Sequence, residues 1–369
     1  MVRAMNVAMK IGCVCLLAIL MAGCGAAPGS DSGKLTVGFV YVGPRDDYGY
    51  NQAHAEGAAA LKTRSDVRVF EEERVPDTAD CQKTVQSMIE IDGARAIFAT
   101  SFNYYDPHVL KLARLYPDVT FLHCGGLWDE KQHPANVSTY FGYIDESVYL
   151  SGIVAGHATK TKKLGFVAGK PIPQVLRNIN AFTLGARTVD PKIDCLLIYT
   201  GDWSKPVAEA EAANSLIDQG ADVITCHVNS PKVVIEAAER RGAYSCGYHC
   251  NQSALAPKGY LTGAEWNWEK VYRDYVDELK AGHRPANFKR GGLKEGVVKS
   301  SPYGPAVSAE AKEAAEAARE RLLAGNFAIF KGPLKDSAGK EVIPAGKAYP
   351  QNAIELEAMD YLVEGVLAK

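Results

Sequence analysis

The sequence predicts an α/β fold built as two similar lobes, and three observations predict it. Strand-like apolar runs alternate with helix-like stretches, which implies parallel sheets covered by helices. The alternation breaks near residue 143 and then starts again. The 369 residues are 47% hydrophobic, enough for a substantial core, and carry a net charge of −2 with both signs spread along the chain. No basic tract or arginine-rich stripe occurs, which argues against nucleic acid as a partner.

The N-terminus stands apart from this pattern. "MVRAMNVAMK" carries Arg3 and Lys10, and "IGCVCLLAILMAGC" is an uncharged apolar stretch ending in small residues and Cys24. A basic start, an apolar middle and a small-residue end make a secretory signal over residues 1–23. The apolar run is shorter than the roughly 20 residues a membrane span needs. "LMAGC" resembles the bacterial lipobox, with Cys24 as the lipidated residue and new N-terminus. The expected location is therefore the cell membrane, lipid-anchored, facing the periplasm or the cell exterior. "GAAPGSDSGK" reads as a flexible tether, residues 24–33. A plain signal peptide with an incidental cysteine is the alternative.

The first array opens with "KLTVGFVYV", a strand, and "NQAHAEGAAALKTR", a helix. "VRVFEEERV" is a strand. "TADCQKTVQSMIEIDG" is a helix with Thr78 as its cap, Val85, Met88 and Ile89 on one face, and Gly93 as its stop. "ARAIFAT" is a buried strand, "DPHVLKLARLYP" a helix and "VTFLHCG" a strand. The second array begins with the helix "DESVYLSGIVAGHATK", for which Asp145 is the expected cap. Gly152 and Gly156 on it suit tight helix–sheet packing. "KLGFVAG", "IDCLLIYTG", "ADVITCHV" and "AYSCGYH" are strands. "VLRNINAFTLGART", "KPVAEAEAANSLIDQG" and "PKVVIEAAERRG" are the helices between them. Cys124, Cys195 and Cys226 lie in strand-like runs, where Cys serves as a small hydrophobe. Export permits disulfides, and Cys246 with Cys250 is the pair best placed for one.

In open parallel sheets, ligands bind beyond the carboxyl ends of the strands. "GPRDDYGYNQAHAEG", residues 43–57, lies there, after the first strand and at the start of the first helix. Helix N-termini offer free N–H groups to ligand acceptors.

Five stretches in chain order carry a resemblance: "DDYGYNQAHAEGAAAL", "TSFNYYDPHVLKLARLYPDVTFLHCGG", "STYFGYIDESVYLSGIVAGHATKTKKLGFVAG", "GADVITCHVNSPKVVIEAAERRGAYSCGYHCNQS" and "MDYLVEGVLAK". Together they resemble the basic-membrane-protein (BMP) family of bacterial substrate-binding lipoproteins, which includes purine-nucleoside receptors of ABC importers. The resemblance covers most of the mature chain. It implies two Rossmann-like lobes of the type I periplasmic-binding-protein fold, joined by a multi-stranded hinge. On that reading lobe 1 is residues 34–143 plus 259–285 and lobe 2 is 144–258 plus 286–369. "GYLTGAEW" and "VYRDYVDELKAG" would return to lobe 1, and "GGLKEGVVKSSPYG" would cross back. The resemblance also implies a small-molecule ligand, a purine base or nucleoside, held between aromatic faces and delivered to an ABC permease.

The matching aromatics are Tyr50 and Phe102, Trp266 sits where the chain returns across the hinge, and the polar first-loop positions are Asp47 and Asn51. His249 departs from the family's usual Asp, which makes a free base at least as suitable as a ribose-bearing ligand. The chemistry of each residue fits a flat heterocycle. Stacking contributes about 1–3 kcal/mol per base, and edge groups select, because a buried polar group left unpaired costs about 1–3 kcal/mol. Asn51 can donate and accept at a base edge, or simply cap the helix. Asp47 accepts an N–H, or serves its own turn. Asn103 and Asn251 are further candidates that double as turn residues. Trp266 and Trp268, two apart, would share one face of a strand.

An enzyme would need a nucleophile, base or metal, and no H-E-x-x-H or G-x-S-x-G occurs. Cys246, His249, Cys250 and His227 lack the paired spacing of a zinc site. No G-x-G-x-x-G or P-loop follows a strand in the mature chain. The expectation is a binding protein with no cofactor, no metal and no catalytic residue. Another flat heterocycle such as a flavin, or a signalling receptor in place of an importer, are the alternatives.

Overall fold

A computed structural model describes residues 33–368. The expected leader, Cys24 and the tether up to residue 32 lie outside the described residues.

The first sheet is parallel throughout. Its strands are β1 (Leu35–Val40), β2 (Val67–Glu72), β3 (Ala96–Ala99), β4 (Thr120–Cys124), β5 (Val137–Gly142) and β11 (Phe288–Gly291), in the order β11-β5-β4-β3-β1-β2. The second sheet contains β6 (Lys163–Ala168), β7 (Asp194–Tyr199), β8 (Val223–His227), β9 (Tyr244–His249), β10 (Tyr260–Trp266), β12 (Val298–Ser300) and β15 (Val366–Ala368). Its order is β12-β10-β9-β8-β6-β7-β15, and only β12 runs antiparallel to its neighbour. A small hairpin, β13 (Leu334–Lys335) with β14 (Glu341–Ile343), stands apart.

The helices fill the intervals: α1 (Tyr50–Lys62), α2 (Ala79–Glu90), α3 (Leu110–Leu115), α4 (Asp145–Ala158), α5 (Pro173–Arg187), α6 (Pro206–Asp218), α7 (Lys232–Arg240), α8 (Trp268–Lys280), α9 (Ala309–Leu323) and α10 (Ile354–Glu357). Thr78 caps α2, its hydroxyl accepting from the Asp80 amide at 3.4 Å, and Gly93 follows it at φ +74°. Only glycine enters that left-handed region without a Cβ penalty.

The chain passes between the sheets three times, at residues 142–145, at Asn267 and at 292–297. The sheets part from the expected boundaries at the second passage. Tyr260–Trp266, expected in lobe 1, pairs with β9 in the second sheet, register Ala264 opposite Tyr248. The return to the first lobe begins only with α8, whose Tyr272 packs on the stacked pair Phe39 and Phe98 (4.4 Å, 3°). It ends with β11, register Arg290 opposite Phe141 on β5, where the expectation places residues from 286 in lobe 2. Apolar patterning marks a strand but not its neighbour, because both sheets accept the same buried residues.

Other expectations also change. Strand β5, "VSTYFG", was not anticipated, since Ser138 and Thr139 dilute its apolar signal; both are buried and bond their hydroxyls to the 286–287 backbone. Asp145 does not cap α4: Ile144 holds that position, and the Asp145 carboxylate pairs with Arg177 Nε at 3.1 Å. Gly152 serves helix–helix rather than helix–sheet packing. A Cβ there would lie 2.1 Å from the Phe182 carbonyl of α5, and one on Gly185 would lie 2.1 Å from that of Tyr149. Cys246 and Cys250 form no disulfide; all six described cysteines are free and buried.

Candidate functional site

A cavity of about 350 Å³ opens where the carboxyl ends of the two sheets meet. Residues following β1, β3, β4 and β5 wall one side. Residues following β6 to β10 wall the other, and Leu356 and Glu357 of α10 lie at the rim.

The loop after β1 does not supply the polar wall expected of it. Asp47 accepts from the amides of Gly49 (2.8 Å), Asn51 (3.1 Å) and Gln52 (2.9 Å), and from Asn51 Nδ2 (2.8 Å). It caps α1 from inside the loop, satisfying its orphan N–H groups. Burial pushes its pKa up against these bonds, which hold it down. Asn51 is buried, and its Oδ1 accepts from the Gly43 amide at 3.1 Å. Neither side chain lines the cavity. The loop's backbone instead touches the second lobe. The Tyr50 amide donates to the Asn229 carbonyl (2.8 Å), Ser230 Oγ to the Asp47 carbonyl (2.6 Å), and Gln252 Nε2 to the Tyr48 carbonyl (2.8 Å). Gly49 permits this approach, because a Cβ there would sit 2.0 Å from the Asn229 carbonyl oxygen.

Tyr50, first residue of α1, does line the cavity. Its hydroxyl donates to the Thr100 carbonyl at 2.5 Å, and its ring meets His249 edge-on at 5.4 Å. Phe102 lines the cavity from the turn after β3 and is 65% exposed. Asn103 beside it donates to Asp77 at 2.6 Å, at the rim. Phe141, Tyr143 and Arg290 continue this wall.

On the second lobe, His249 ends β9 at φ +78° and is buried. Its Nε2–H donates to the Val228 carbonyl (3.0 Å), and its Nδ1 accepts from Trp266 Nε1 (2.9 Å). Both nitrogens are occupied, and burial holds its pKa well below the usual histidine range. It faces the cavity as a neutral ring with nothing left to donate. Trp266 also lines the cavity, with Trp268 stacked beneath it at 4.8 Å and 11°. The two do not share a strand, since Trp266 ends β10 and Trp268 begins α8. Asn251 is exposed, lies outside the cavity lining, and accepts from the Ser253 amide at 2.8 Å.

Several lining residues were not singled out from sequence. Trp203 follows β7. Asn178 on α5 donates to His227 Nδ1 and to the Tyr248 hydroxyl, both at 3.0 Å. Burial drops the His227 pKa to about 3, so this group is neutral. Arg177, buried, stands over the Tyr143 ring (5.1 Å), pairs with Asp145 and donates to Gln351 Oε1 at 2.9 Å. An Arg and two Asn on a mostly apolar helix were the available signal in "VLRNINAF". Among the described residues, no group of His, Cys, Asp or Glu converges to hold a metal. No described helix is long and apolar enough to cross a membrane.

Comparison with known proteins follows the same lines. The family described as ABC transporter substrate-binding protein PnrA-like (Bmp) matches residues 34–323. A purine-binding protein of Brucella abortus is 34% identical over 338 residues, 90% of this chain and 93% of its own. A Haloferax volcanii protein named for ABC-transporter glucose binding is 31% identical, over 85% of this chain and 78% of its own. Among solved structures, an ABC-transporter solute-binding protein from Conexibacter woesei superposes with a TM-score of 0.68 at 23% identity, covering 79% of this chain and 97% of that one. That likeness shows the fold, the type I periplasmic-binding arrangement.

Proposed function

The chain belongs to the Bmp family of PnrA-like ABC transporter substrate-binding proteins, and from that premise we propose that it binds a purine base or nucleoside and delivers it to an ABC permease for import. Members of the family are binding proteins of the extracytoplasmic side rather than enzymes, and this chain performs no covalent chemistry on our reading. Its anchor is the acylated Cys24.

The observation that carries the reading is Phe102. A large aromatic ring lines an interior cavity yet is 65% exposed. Covering such a side chain is worth about 1.5–3 kcal/mol, and a flat ring stacked on it captures that gain. Trp266 and Trp203 supply aromatic surface from the other lobe. His249 has no nitrogen free for a ribose hydroxyl, which favours the free base. Binding then shifts the population toward the closed arrangement in which both lobes touch the ligand.

The test is a thermal-shift screen, followed by calorimetry, on protein stripped of any copurified molecule. The panel holds purine bases, purine nucleosides, riboflavin and glucose. Purines should raise the melting temperature by mass action and bind with micromolar or tighter Kd. A response confined to riboflavin or glucose overturns the purine assignment. Loss of radiolabelled purine uptake in cells lacking the chain tests import against sensing.

A further inference from the structure

The cavity holds two arginines with opposite situations. Arg177 is spent on protein, with Asp145 at 3.1 Å and the Gln351 carbonyl and side-chain oxygens both at 2.9 Å. Arg290, on the edge strand β11, has no carboxylate within ion-pair distance among the described residues. An arginine carries five N–H donors and no acceptor. Nη1 donates to the carbonyls of Lys289 (2.9 Å) and Thr139 (3.5 Å), and Nη2 to that of Gly126 (2.9 Å). The Nε hydrogen and one on Nη2 find no acceptor among the described residues. The guanidinium is held over the Phe288 ring at 4.0 Å, with Phe141 at 6.0 Å, so its plane is fixed before any ligand arrives. A preoriented fork with two unused donors seeks two adjacent acceptors.

Resting on the purine reading above, we propose that Arg290 makes this a receptor for 6-oxopurines, the class of hypoxanthine and guanine, in preference to adenine. An oxopurine presents O6 and N7 as neighbouring acceptors. Adenine presents N7 beside an amino donor, which an arginine can only oppose. The same geometry makes arginine the usual partner of guanine's O6 and N7 in nucleic-acid recognition, and an amide the partner of adenine's N6 and N7. Sites built to bond a particular polar edge reject the analogue that lacks it, because their own groups are left unpaired.

Calorimetric titration of the full mature chain with hypoxanthine, guanine and adenine tests this, alongside Arg290→Gln and Arg290→Lys. Wild type should bind hypoxanthine at least tenfold tighter than adenine. Arg290→Gln should bring that ratio to about one or reverse it, and Arg290→Lys, which keeps charge but loses the fork, should fall between. Equal or tighter adenine binding by wild type overturns the inference and leaves the purine reading standing. So does a ratio that Arg290→Gln leaves unchanged. Binding of no purine at all overturns both. The wild-type ratio decides the matter even if a variant fails to fold, which circular dichroism would show.

Discussion

Two loops leave neighbouring strands of the first sheet at the same end, and they do opposite things. The loop after β1 carries carboxylates, amides and tyrosines, yet the polar groups of Asp47 and Asn51 are consumed within it. Asp47 and Asn51 hold the loop together, and its backbone bonds the other lobe through Asn229, Ser230 and Gln252. The loop after β3 is plainer, but it leaves the Phe102 ring open in the cavity. The lesson is that residue type at a strand end does not make a ligand contact. Unspent hydrogen-bonding capacity or uncovered apolar surface does. On this view the first loop closes the site and the second fills it.

The sharpest way to break that division is at Gly49. A Cβ there would lie 2.0 Å from the Asn229 carbonyl and 2.7 Å from Pro231 Cδ. Gly49→Val should hold the lobes apart while leaving each sheet intact. Apparent affinity scales with the fraction of molecules able to close, so binding should fall on the order of 100-fold or more, about 3 kcal/mol. Calorimetry reads the affinity and small-angle scattering the failure to contract with ligand. Wild-type affinity in this variant would mean that the loop is not a latch.

Phe102→Ala attacks the other loop. The ring is mostly exposed and stabilises little in the folded chain, so melting should change by no more than about 0.5 kcal/mol in stability. Ligand affinity should drop by about 1–3 kcal/mol, the value of one stacked face. Unchanged affinity would place the ligand away from this wall.

The contrast also explains what could be read in the sequence. Strand and helix alternation is written in apolar spacing, so β1 to β4 and β6 to β9 were legible. Partner choice is not, which is why the pattern does not reveal that β10 belongs beside β9 in the second sheet. Tyr50, Phe102 and Trp266 were legible as large rings at strand ends and do line the cavity. Asp47, Asn51 and Asn251 had the right chemistry, but nearby backbone amides claim them, and no local pattern reveals that competition. Arg290 is not legible because its place depends on β11 pairing with β5, whose partner residues lie 149 positions away along the chain (Gly291 opposite Gly142, 291 − 142).

A third test reaches the hinge that joins the two loops' lobes. Glu146, buried at the start of α4, accepts from the Leu293 amide at 2.6 Å in the last passage between sheets. Burial, the largest influence, pushes its pKa from the usual 4.5 to about 7. The native state therefore holds this proton more tightly than the unfolded chain. Its stabilising contribution is complete below about pH 4.5 and is lost as pH rises toward and through 7, by about 1–2 kcal/mol between pH 5 and 7. His54, His123 and His227, lowered to about 3 by burial, act in the reverse direction and lose stability as pH falls below 6.5. Glu146→Gln should remove the first slope and leave the second, as read by denaturant unfolding across a pH series. An unaltered profile would show that Glu146 is ionised in the native hinge.

The smallest effect belongs to Asn251, and it extends the comparison to the second lobe. Its chemistry is that of a ligand contact, but its Oδ1 is occupied by the Ser253 amide and it lies outside the cavity lining. Its neighbour Gln252 is wholly buried and bridges to Tyr48 in the first lobe. Asn251→Ala should cost about 1 kcal/mol or less, the price of one exposed local bond, and leave ligand affinity within twofold. Gln252→Ala should instead weaken closure, in the same direction as Gly49→Val. A tenfold affinity loss in Asn251→Ala, with Gln252→Ala harmless, would reverse the roles of two adjacent residues and bring this loop into the ligand wall.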